Sequence, residues 1–96
     1  MKFLEDITGG PLSLGELIES IRLGDEESLT SFSKKMGISV SHLSDIESGR
    51  KAVSPERAAR FAKTLGYSEK QFVRLALQDA LNKQGLQRMI VHVEAA

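Results

Sequence analysis

Few side chains of this chain are placed to act as nucleophile, base or metal ligand. His42 and His92 are the only histidines and cysteine is absent, so neither imidazole has a partner ligand at helical spacing and no metal site is expected. Serines are plentiful, but none is accompanied by a histidine and a carboxylate at the spacing of a nucleophilic triad. Gly9-Gly10 is too short for a phosphate-cradling loop and lacks the lysine that would follow. No catalytic residue and no cofactor are therefore expected, and the chain does not read as an enzyme. The chemistry that remains is charge. The net charge is zero, yet residues 1–30 set two cations against seven carboxylates, a balance of −5, and residues 31–96 set eleven cations against six carboxylates, a balance of +5. Lys34, Lys35, Arg50, Lys51, Arg57, Arg60 and Lys63 crowd one stretch, opposed there by Asp45, Glu47 and Glu56. A basic face of this kind attracts a polyanion without regard to its sequence.

The element inside that stretch has to present it. Residues 28–51 read as two short helices joined at Gly37: Phe32 and Met36 give the first an apolar edge, Gly37 permits the positive φ of a helix end, and Ser39 caps the second. Leu43 and Ile46 then face the first helix, and Ser41, Ser44, Asp45 and Ser48 fall on the opposite side, since each residue advances the helix by about 100°. A short helix with a small polar outer face is what a major groove admits, which makes double-stranded DNA the expected partner.

Similar punctuation runs through the chain. Ser13, Ser28, Ser39, Ser54 and Ser68 each precede a helical pattern, and Gly24, Gly37, Gly49, Gly66 and Gly85 each follow one, so five helices are predicted. Ser13 with Glu16 makes a capping box before Leu14, Leu17, Ile18 and Ile21, and Ser54-Pro55 opens a helix with inner edge Ala58, Phe61, Ala62 and Leu65. Ser68 with Gln71 as reciprocal cap opens the longest, expected to bury Phe72, Val73, Ala76, Leu77, Ala80 and Leu81. After Gly85 the period changes: Met89, Val91 and Val93 alternate with Ile90, His92 and Glu94, which reads as a β-strand needing a partner strand, from residues 2–8 or from a second copy. The expected division is an amino-terminal arm over 1–12, a helical domain over 13–85 and a tail over 86–96 that carries a dimer contact. Its 96 residues suit one domain; no apolar run is long enough for a membrane span, and Glu5 and Asp6 interrupt any signal-like start, so a cytoplasmic location is expected.

With these elements in place, residues 14–81 resemble the Cro/CI group of helix-turn-helix proteins, the phage repressors and XRE regulators. The resemblance rests on Gly37-Ile38-Ser39, Leu43, Ile46-Glu47-Ser48-Gly49-Arg50, Ser54-Pro55-Glu56 and Leu65-Gly66. It implies an all-α, five-helix lambda-repressor-like fold, here with a short carboxy-terminal strand. It also implies that Val40, Ser41, Ser44 and Asp45 lie nearest base edges, and that Arg50, Lys51, Ser54 and Arg57 meet phosphates, with His42 beside them. It further implies that Arg22 pairs with Glu47 as a structural clamp. Two positions depart from the pattern. Leu29 stands where relatives place a phosphate-binding glutamine, and Ser33 stands where a small alanine packs, so its hydroxyl needs a carbonyl one turn back. The implied function is a sequence-specific transcriptional repressor acting as a homodimer on a palindrome. The alternative is an antitoxin that binds a toxin protein through Phe3, Leu4 and Ile7 or through residues 89–94, and represses its own operon.

Overall fold

Serine starts every helix described. In a computed structural model, which describes residues 12–96, each cap serine has an extended backbone and its hydroxyl accepts a bond from the N–H three residues on. The elements are α1 (Leu14–Gly24), α2 (Leu29–Met36), α3 (Val40–Glu47), α4 (Pro55–Leu65) and α5 (Glu69–Lys83). At α1 the box is complete, with Ser13 Oγ accepting from Glu16 N at 3.1 Å and Glu16 Oε1 accepting from Ser13 N at 2.9 Å. At α5 the bond runs one way, from Gln71 N to Ser68 Oγ at 3.2 Å, so Gln71 is not the reciprocal cap the spacing suggests.

Leu14, Ile18, Phe32, Leu43, Ile46, Ala58, Ala62 and Phe72 form the centre of one core. The pairing of α4 with α5 is the most extensive contact, and α3 sits against α1 and α2. Alanines at the α4 positions facing the core let these short helices approach closely, and large side chains from the other helices fill the space between them. The buried edge of α5 differs from the periodic expectation: Phe72, Leu75, Ala76 and Gln78 are buried, Val73, Leu77 and Leu81 are half-buried, and Ala80 is exposed. An apolar count alone cannot tell which of two stripes on a helix meets its neighbours. The α1 terminus also differs. Gly24 is the last helical residue, and Glu26, at φ 56°, takes the left-handed position expected of the glycine.

The carboxy-terminal β-strand is not formed; among the described residues there are five helices and no strand. Residues 89–91 instead bind the side chain of buried Gln78, whose Nε2 donates to Met89 O at 2.8 Å and whose Oε1 accepts from Val91 N at 2.9 Å. One side-chain amide reproduces the donor and acceptor of a neighbouring strand, so the segment runs along α5 without requiring a ladder. The amino-terminal arm, including the candidate pairing segment 2–8 and Phe3, Leu4 and Ile7, lies outside the described residues.

A second polar tie joins the ends of the fold. Asp79 on α5 accepts from Leu14 N at 2.9 Å, which satisfies a donor at the start of α1, and burial raises its pKa above the ordinary aspartate value.

Candidate nucleic-acid interface

The turn between α2 and α3 is set by Gly37, at φ 75° and ψ 29°, and by the Ser39 hydroxyl, which accepts from His42 N at 3.0 Å. A side chain at Gly37 would meet no neighbour, so its requirement is conformational and not one of space. Burial of Leu43 and Ile46 then fixes the rotation of α3 about its axis. With those two inward, Val40 and Ser41 are exposed, and Ser44, Asp45 and His42 are half-exposed.

Two hydrogen bonds from Arg22 on α1 hold the end of α3 to the body, and polar and apolar contacts on α2 complete its seat. The Arg22 guanidinium donates through Nε to Glu47 Oε2 at 2.8 Å and through Nη2 to Glu47 Oε1 at 3.0 Å, while Nη1 donates to Glu27 O at 3.0 Å. The two side chains are 12% and 7% exposed, so this forked pair is a clamp at the end of α3. The Ser33 hydroxyl donates to Thr30 O at 2.9 Å, the outlet that its burial requires. Leu29 packs against the core and so adds apolar contact at the position where the resemblance implies a glutamine.

Of the residues expected to face DNA, the fold brings His42, Lys51, Ser54 and Arg57 around one shallow depression, together with Ala52, Glu56 and Arg60. Arg60 was absent from the sequence-based set, although its spacing of three from Arg57 puts both on one face of α4. The Ser54 oxygen is engaged as the α4 cap, accepting from Arg57 N at 3.2 Å, which leaves its O–H free to donate. Asp45 and Arg50 are joined in an ion pair. Arg50 Nε and Nη2 both donate to Asp45 Oδ1, at 3.1 and 2.9 Å.

Arg57 Nη1 lies 3.2 Å from His42 Nε2. A guanidinium only donates, so this nitrogen must accept and the ring must be neutral. Burial lowers the His42 pKa, and the charges of Arg57 and Lys51 lower it further. An unfolded chain takes up this proton more readily than the folded one, so stability falls as the pH drops below the ordinary value of 6.5. Urea unfolding from about pH 7 to about pH 5 should show a shallower decline for His42→Gln than for the wild type. Equal slopes would remove His42 as the source.

Among the described residues no group of three or more histidine and carboxylate side chains is placed to hold a metal, and no helix is long and apolar enough to cross a membrane. Compared with known families, residues 21–72 match the helix-turn-helix model. No curated protein and no solved structure matches the chain.

Proposed function

Because the chain belongs to the Cro/CI-type helix-turn-helix family and is thereby a DNA-binding transcriptional regulator, we propose that it represses transcription as a homodimer on a palindromic operator. The observation that carries this is the arrangement of α3: its apolar edge and Glu47 are locked inward, its outer face is small and polar, and a cationic depression adjoins it. In this reading Val40, Ser41, Ser44 and Asp45 face base edges. Val40 offers methyl contact to thymine, and the hydroxyls serve as adaptable donors. His42, Arg50, Lys51, Ser54 and Arg57 lie along the phosphates, aided by the positive end of the α4 dipole beside Ser54. Repression follows from occlusion of a promoter, in the cytoplasm where the DNA lies.

Support for a dimer comes from α5 rather than from a strand. Val73, Leu77 and Leu81 repeat every four residues and stay half-buried, and Met89 and Ile90 are exposed beyond them. A two-fold axis through this surface would set two α3 helices about one DNA turn apart, ~34 Å. If each protomer meets three or four phosphates, a dimer releases about six to eight counterions, and log K against log salt should fall with a slope of roughly −5 to −7. The measurement is titration of duplexes selected from random DNA, with sedimentation of the free protein. Half that slope with a monomeric protein would overturn the dimer, and salt-independent binding would overturn the phosphate contacts. Retained dimerisation without selection of any site would favour a protein partner, as the toxin alternative requires.

A further inference from the structure

The loop that follows α3 folds back on Asp45 through both its backbone and its side chain. Asp45 O accepts from Lys51 N at 3.1 Å and from Ser48 Oγ at 3.2 Å, and the positive φ of Gly49, 84°, turns the chain between them. Asp45 Oδ1 takes the two bonds from Arg50. We infer that Asp45 is a positioning residue: it holds the Arg50 guanidinium as a fixed fork at the edge of α3, and that fork reads a guanine in the major groove. This rests on the DNA-binding reading above and revises the separate roles assigned there to the two residues.

The argument is one of donor geometry. A guanidinium has five N–H donors in one plane. Asp45 uses Nε–H and one Nη2–H, the side edge of the group, so the end edge keeps the other Nη2–H and one Nη1–H, and the second Nη1–H points away on the Cδ side. That edge offers two parallel donors, the match for two acceptors side by side, as on the O6 and N7 of guanine. A free arginine on a loop would have to lose the rotamer freedom of a long side chain on binding. Here the carboxylate and the folded loop have already restricted it. Asp45 also places a negative charge beside the groove, so a site without the matching acceptors gains little from Arg50 and still meets the carboxylate. That combination raises discrimination between sites at the expense of sequence-independent attraction.

Asp45 thus need not contact a base edge itself. Its bonding oxygen already serves two donors, and its position on the outer face is explained by the arginine it holds.

The test is selection of sites from random duplex DNA by the full chain, followed by titration of the best site and of its single base-pair variants. The wild type should prefer guanine at one position of each half-site by about ten-fold or more. Arg50→Lys keeps the charge and loses the fork, so it should bring that preference close to unity while other positions stay as they were. Asp45→Ala should weaken the same preference and bind unrelated DNA several-fold more tightly, because a carboxylate has gone. Both side chains are on the surface, and circular dichroism should report unchanged folding. If Arg50→Lys keeps the wild-type preference, or Arg50→Ala weakens all sequences equally, the guanidinium is a phosphate contact and the inference is overturned. If Asp45→Ala selects the same sites at the same ratios, Asp45 does not position it. A wild-type protein that enriches no sequence brings down the DNA reading itself, an outcome distinct from variants that select as the wild type does.

Discussion

Replacing Glu47 by alanine should destabilise the fold by about 2–4 kcal/mol, far more than an ordinary surface change. The carboxylate accepts both prongs of the Arg22 fork, and only 7% of its side chain is exposed. Its removal leaves a guanidinium with one remaining partner, the Glu27 carbonyl, in a place where water reaches it poorly. The cost is set by that stranded charge more than by the lost attraction, and an apolar pair at both positions, Arg22→Met with Glu47→Leu, should recover much of it. For a domain of this size the single change corresponds to a fall in Tm on the order of 10–20 °C. DNA binding should decline in step with the folded fraction, because the same pair holds α3 to α1. Thermal unfolding and titration of DNA on one preparation decide the matter. A Glu47→Ala protein with an unchanged Tm that no longer binds DNA would make Glu47 a contact residue instead.

Gly15→Ala is expected to have an effect of similar size for a different reason. A Cβ on Gly15 would lie 2.1 Å from the carbonyl oxygen of Ile46 and 3.1 Å from its carbon. Alanine gains about 1 kcal/mol over glycine in a helix interior, but overpacking against backbone costs about 1–3 kcal/mol or more, and here the obstacle is the main chain of α3. With the clash against backbone at the upper end of that range, the net should be a loss of about 2 kcal/mol or more, accompanied by displacement of α3 and weaker DNA binding. Gly24→Ala is the control. It also sits in α1, its Cβ would meet nothing within 4 Å, and its φ is ordinary, so it should stabilise by a few tenths to about 1 kcal/mol. Denaturant midpoints of the two variants should move in opposite directions. If both rise, the contact between α1 and α3 is looser than the geometry states.

Gly15 shows why a chain of this kind is legible only in part. A lone glycine inside a helical pattern has no local signature that separates tolerance from necessity, since the atom it makes room for belongs to residue 46. Buried Leu75 and Gln78, like the acceptor Asp79, were missed on the same grounds. Each lies on α5, and its role depends on what α1, α4 and the tail bring to that helix. Alternation over residues 89–94 predicts a strand, yet periodicity does not specify a partner, and no strand forms there. Here that partner is one glutamine side chain. Likewise Asp45 and Arg50 stand five residues apart across the end of α3, and only the fold of the loop joins them in an ion pair.

By itself the sequence determined what depends on neighbours within one turn of helix: the five serine caps, the Gly37 turn and the inward edges of α1 to α4. These follow from bonds spanning three or four residues, which the order of side chains states directly. The Arg22–Glu47 clamp came from the resemblance, whose motif already encodes a contact across the fold. Only the tertiary structure decided which stripe of α5 is core, why Gly15 must be small, where the tail lies, and that His42, Lys51, Arg57 and Arg60 share one depression. Those outcomes join residues far apart in the chain, and packing and charge select them only once the helices have met.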